Sequence, residues 1–118
     1  MNNIINAPSF VRGDSYPFKI KIKDKNGNPI HIEDIKSLFI TFKHDTRRDS
    51  KIIFQKTLLD VDIDNEGYCH CIFNPEDTET LTYGPYFFDI EVTLINGYRK
   101  TSIYSIELTD ETSTHGGY

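Results

Sequence analysis

Several groups of side chains have types and spacings that could do chemistry. Cys69 and Cys71 flank His70, and such a pair can supply half of a zinc site. The site would need two further ligands, and His31, His44, His70 and His115 are scattered without ligand-like pairing. On an extended strand the two cysteine Cα atoms sit ~6.6 Å apart, an awkward span for a disulfide. The pair reads best as two small buried apolar side chains. Asp60, Asp62, Asp64 and Glu66 alternate ahead of Gly67, as in a calcium loop. An EF-hand loop needs glycine at its sixth position and glutamate at its twelfth. Counted from Asp60, those positions hold Asn65 and Cys71, so the stretch reads as a solvated edge before a hairpin.

Arg47 and Arg48 stand between Asp45 and Asp49 in a polar loop. Their charges are largely neutralised within the loop, and the better use for them is anchoring a partner protein. Lys19, Lys21 and Lys23 form a basic stripe on one face of a strand. Without interleaved aromatic residues this is weak support for nucleic acid, and charged residues also guard strands against edge association. Asp89 with Glu91, and Glu76 with Asp77, are close in sequence, yet nothing marks either pair as a glycosidase dyad. Neither a nucleophile-elbow serine nor a glycine-rich phosphate loop occurs. No catalytic residue, cofactor site or metal ligand is assigned, and a non-enzymatic role is expected.

These residues sit on strand-length segments separated by turn signals. In Ser15–Lys23, Tyr16, Phe18, Ile20 and Ile22 point one way and the lysines the other. Alternation with period two means a strand with one buried and one wet face. Further strands are expected at 29–32, 37–43, 51–57, 68–73, 86–95 and 98–108. Asn26-Gly27 and Asn96-Gly97 suit hairpin turns. Asn74, Pro75, Glu76 and Asp77 open the clearest helical signal, a short helix near residues 75–81. Helices rarely interrupt the strands, so a parallel α/β sheet is disfavoured. The expected fold is an all-β, antiparallel sandwich of about seven strands with one short helix.

The chain has 118 residues, which fits one domain with a core of its own. Residues 1–12 read as an N-terminal arm, 13–108 as the sandwich and 109–118 as a C-terminal tail. Aromatic residues make up 13%, which suits strands, and the net charge of −5 gives no general reason to bind nucleic acid or an anionic membrane. The first residues lack the basic and apolar regions of a secretory signal, which points to synthesis in a cytoplasm.

Taken in order, the segments carry a resemblance. Arg12-Gly-Asp-Ser-Tyr16, with Phe18, opens a strand, and Ile22-Lys-Asp-Lys-Asn-Gly-Asn-Pro-Ile30 follows. Then come Asp34-Ile-Lys-Ser-Leu-Phe-Ile-Thr-Phe42, Gly67-Tyr68, Pro75-Glu-Asp-Thr with Leu81, Gly84-Pro-Tyr-Phe-Phe-Asp-Ile90 and Asn96-Gly97. Across residues 10–108 the chain resembles the small immunoglobulin-like domains of tailed-bacteriophage virions, including the N-terminal domain of baseplate upper proteins.

The resemblance implies an immunoglobulin-like sandwich in a virion structural protein of the tail, the baseplate or the head. Such a part is made in a host bacterial cytoplasm and acts in a multi-copy assembly through contacts with other virion proteins. Baseplate proteins of this kind carry a long C-terminal extension. This chain ends soon after its last expected strand, which favours a small accessory or adaptor subunit. The contacts expected are Ile4, Ile5, Arg47, Arg48 and Tyr118. The alternatives are a carbohydrate-binding module that meets host surface glycans through exposed Tyr or Phe rings, and a capsid-decorating or head-fibre protein.

Overall fold

The computed structural model describes residues 4–47 and 50–109. They form two β-sheets packed face to face. The strands are β1 (Ile4–Asn6), β2 (Phe10–Val11), β3 (Tyr16–Lys21), β4 (Ile35–Lys43), β5 (Ile52–Thr57), β6 (Asp62–Ile63), β7 (Tyr68–Phe73), β8 (Gly84–Leu94) and β9 (Arg99–Thr109). One sheet has the order β1-β9-β8-β4-β5, with β2 also on β9, and the other has the order β3-β7-β6.

The expected pattern holds with four differences, the first being β6, a short strand within the acidic stretch read as a solvated edge. The leading segment, read as an arm, contributes β1 and β2, and both pair in parallel with β9. Two short runs separated by Pro8 are too brief to show alternation, so the sequence pattern could not mark them. This edge also makes the sandwich mixed rather than wholly antiparallel. The strand expected at 29–32 is reduced to a single bridge between Lys23 and Pro29, followed by a tight turn at Ile32–Asp34. The helix covers Pro75–Thr78, shorter than the expected span to residue 81. The Asp77 carboxylate accepts the Asn74 N–H at 2.7 Å, and the Leu81 N–H returns to the Thr78 carbonyl in a turn.

The alternations place the core between the sheets. Leu38, Ile40 and Phe42 of β4 and Tyr86, Phe88, Ile90, Val92 and Leu94 of β8 are buried. β8 and β9 are joined at Asn96–Gly97, where Gly97 takes φ 94° and its N–H bonds the Leu94 carbonyl. Such positive angles favour glycine because a Cβ would clash. Phe73 of β7 is the hub of the aromatic core. Its ring centroid lies 4.9 Å from Phe18, 5.2 Å from Phe54, 5.3 Å from Phe88 and 5.6 Å from Phe42. Edge-to-face packing of this kind lets positive ring edges meet negative ring faces.

Candidate interaction surfaces

The residues singled out for metal chemistry serve the fold. Cys69 and Cys71 both point inward from β7, are buried and carry free thiols. Burial pushes the Cys69 thiol up to about 12 and the Cys71 thiol up to about 11. His70 points outward between them and its Nε2 meets the Asp64 carboxylate at 2.8 Å. Asp64 also accepts the Glu66 and Tyr68 N–H groups at 2.9 and 3.0 Å, and Asp60 accepts the Thr57 N–H at 2.7 Å. These carboxylates close turns by side-chain-to-backbone bonding, the local chemistry for which aspartate is suited. Among the described residues, no group of three or more His, Cys, Asp or Glu could hold a metal ion.

The expected contact residues do not converge. Ile4 and Ile5 lie on β1, the edge of the larger sheet, and are 48% and 46% exposed. Their partners across the parallel ladder are Ile103 and Tyr104. Arg47 follows β4, across β8 and β9 from that edge. Its guanidinium holds Asp45 at 3.1 Å, and the Asp45 carboxyl is kept below its usual range by bonds from the Arg47 backbone and side chain. Arg48 and Tyr118 lie outside the described residues.

The rings considered for sugar stacking are mostly engaged. Tyr86 is buried, and Tyr104 stacks on Phe88 at 4.9 Å. Tyr83 is half-exposed, with the Arg12 guanidinium 4.5 Å from its ring centre. Phe87 lies on the outer face of the larger sheet, between Lys43 of β4 and Ser105 of β9.

Three surfaces emerge only from the topology. The outer face of the larger sheet carries Asp89 in the middle of β8, flanked by Thr41 of β4 and Ile103 of β9. Burial raises the Asp89 carboxyl above its ordinary range, the Lys43 charge opposes that rise, and Glu91 adds to it. On the smaller sheet, β3 pairs among the described residues only with β7, so the outer side of Tyr16–Lys21 is an edge with no strand beyond it there. Behind that edge the sheets part over a recess lined by Ile20, Ile22, Ile90, Val92, Leu94 and Tyr98, among others. On the opposite side, β6 is the second edge with no strand beyond it among the described residues, and the nearby Leu59 is 96% exposed. The residues of these surfaces were visible as an alternation of Lys with Ile and of Asp with Val and Ile. Strand order, which decides the edges, was not.

The strand order and the entry to β8 define the class. Strands β3, β7 and β6 make one sheet, and β9, β8, β4 and β5 the other, with the leading strand parallel to the last. This is an immunoglobulin-like β-sandwich. The Tyr86 hydroxyl donates to the Thr82 carbonyl at 2.8 Å, as the tyrosine corner of that fold does. Antibody domains carry a cysteine two residues after that tyrosine. Here Phe88 holds the position and faces Phe18 at 5.5 Å, so ring packing stands where the inter-sheet disulfide would be.

No protein-family model matches the chain, and no curated protein matches it. The likenesses found are to solved structures and concern the fold. CopC from Methylosinus trichosporium OB3b aligns with a TM-score of 0.49 and 9% identity, over 92% of this chain and 85% of that one. The extracellular domain of the voltage-gated sodium channel beta4 subunit gives 0.45 and 9%, over 94% and 95%. The first Ig-like domain of human CD48 antigen gives 0.42 and 13%, over 93% and 85%.

Proposed function

We propose that this chain is a non-enzymatic structural subunit of a tailed-bacteriophage virion, acting through protein–protein contacts. The observation that carries the reading is the exposed pair Ile4 and Ile5 on a strand edge with no further neighbour among the described residues. Apolar side chains beside open backbone groups suit strand addition, in which main-chain bonds give affinity and alternate side chains give specificity. The run of turn and strand motifs across residues 10–108 supplies the virion context. The aromatic core gives the rigid frame that such contacts need. A place in the tail, baseplate or head, as adaptor or decoration, all agree with this chemistry.

Light scattering on the full chain, alone and mixed with purified capsid, portal and tail proteins of a tailed phage, tests the reading. A complex with one of them is expected and names the location. Failure to join any of them overturns it. A glycan array then decides the carbohydrate-binding alternative, which requires a ring face open to sugar.

A further inference from the structure

The two edges of the smaller sheet carry opposite charge. The β3 side reads Lys19-Ile-Lys-Ile-Lys23, and the β6 side reads Asp60-Val-Asp-Ile-Asp64. Both β3 and β6 run antiparallel to β7, so they run parallel to each other on its two sides. The cross-strand rows are in register. Lys19, His70 and Asp62 form one row, and Ile20, Cys69 and Ile63 form the next. Because side chains alternate, the charged row lies on the wet face and the apolar row on the core face. The charged row thus runs from a cation at one edge to a carboxylate at the other.

Among the described residues, neither edge has a strand beyond it. Lysines can guard a free edge by covering it. Here Lys19 and Lys21 lean the other way, with ammonium groups 4.6 and 5.4 Å from the Tyr68 ring centre on β7. Among the described residues no strand covers the outer side of β3 along Tyr16–Lys21, beyond which Lys23 bridges Pro29 and the Ile22 carbonyl accepts the Ile30 N–H. The apolar recess lies just behind this edge.

We propose that copies of this chain associate head to tail, the β6 edge of one copy pairing in parallel with the β3 edge of the next. Charge complementarity argues for a second copy as the occupant. The two edges share the same two-residue alternation, so Asp62 of one copy meets the Lys19 and Lys21 side of the next and Ile63 comes beside Ile20. The contact joins two different patches, so it repeats into a row or closes into a ring rather than stopping at a two-fold dimer. The inference stands apart from the virion reading, since it needs only the chain itself.

The test is the light-scattering mass of the full chain over a concentration series at low and high salt. Mass is expected to grow with concentration at low salt and to fall as salt screens the contact. The double variant Lys19→Glu with Lys21→Glu, and separately Asp62→Lys, each remain at the mass of one copy. Mixed in equal amounts, the two variants associate in alternation, because the native acidic edge of one meets the native basic edge of the other and the two charge-reversed edges are again complementary. All three substitutions lie on the wet face, and an unchanged melting temperature confirms the fold. A wild-type chain at the mass of one copy throughout overturns the proposal. So does association that survives both variants, or a mixture that fails to associate.

Discussion

The Tyr86 hydroxyl donates to the Thr82 carbonyl oxygen at 2.8 Å, which fastens the start of β8 to the turn before it. The Thr82 hydroxyl lies 3.1 Å from the Tyr86 hydroxyl oxygen, so the buried phenol has two partners. Tyr86→Phe keeps the ring in the core and leaves the Thr82 carbonyl without its donor. A loss of about 1–3 kcal/mol is expected. Urea unfolding reads it as a lower midpoint with an unchanged slope.

The thiols of Cys69 and Cys71 make a second prediction. Burial raises both above the ordinary thiol range, to about 12 and about 11. The thiolate is the reactive form, so neither thiol should react with iodoacetamide in the folded chain at neutral pH. Both react once urea unfolds it. The raised values also fix the sign of the alkaline response. Their share of stability is fully present below about pH 8.5, the unfolded thiol value, and is lost as pH rises toward 11 and 12. Mass spectrometry of labelled native and unfolded protein checks the first part, and melting temperature against pH the second.

Gly67 closes the turn between β6 and β7 with φ 86°. A Cβ there would lie 2.9 Å from the Pro29 Cβ, closer than packed carbons approach. Gly67→Ala should therefore destabilise by more than about 1 kcal/mol, through both backbone strain and the collision. Gly27 has a similar φ of 85° with no atom near its would-be Cβ. Gly27→Ala should cost less, and the difference between the two variants in thermal unfolding isolates the contact with Pro29.

Asp89 is raised by burial, with Lys43 opposing and Glu91 reinforcing the shift. A carboxyl raised on folding holds its proton more tightly in the folded state, so its contribution is present at low pH and is lost as pH rises through the folded value. Asp89→Asn should stabilise the chain at pH 7 by under about 1 kcal/mol, since the group is only half-buried. The gain should vanish below about pH 4. Unfolding measured at both pH values, side by side with wild type, decides it.

Much of the fold was legible because long alternating runs leave little choice. The lysine–isoleucine run of β3 and the Tyr86 to Leu94 run of β8 could each bury only one face. The Asn96-Gly97 turn joined its strands as the dipeptide demands. What stayed hidden was pairing between distant segments. Ile4 and Phe10 stand on β9, about a hundred residues away, and nothing local to Met1–Arg12 announces that edge. The same limit hid the interaction surfaces. Asp60 to Asp64 read as a solvated stretch, and Lys19 to Lys23 as a protective stripe. Their placement on opposite edges of one sheet follows only from β7 lying between them. The tyrosine corner was legible in principle, since a tyrosine beginning a long strand is its signature.

Both proposed contacts use open strand edges. Amide hydrogen exchange, followed residue by residue at low and high protein concentration, reads those edges directly. Amides of β3 and β6 are expected to slow as copies associate, while those of β4 and β8 in the middle of the larger sheet stay unchanged. Association with no added protection on β3 or β6 would contradict the proposed head-to-tail contact.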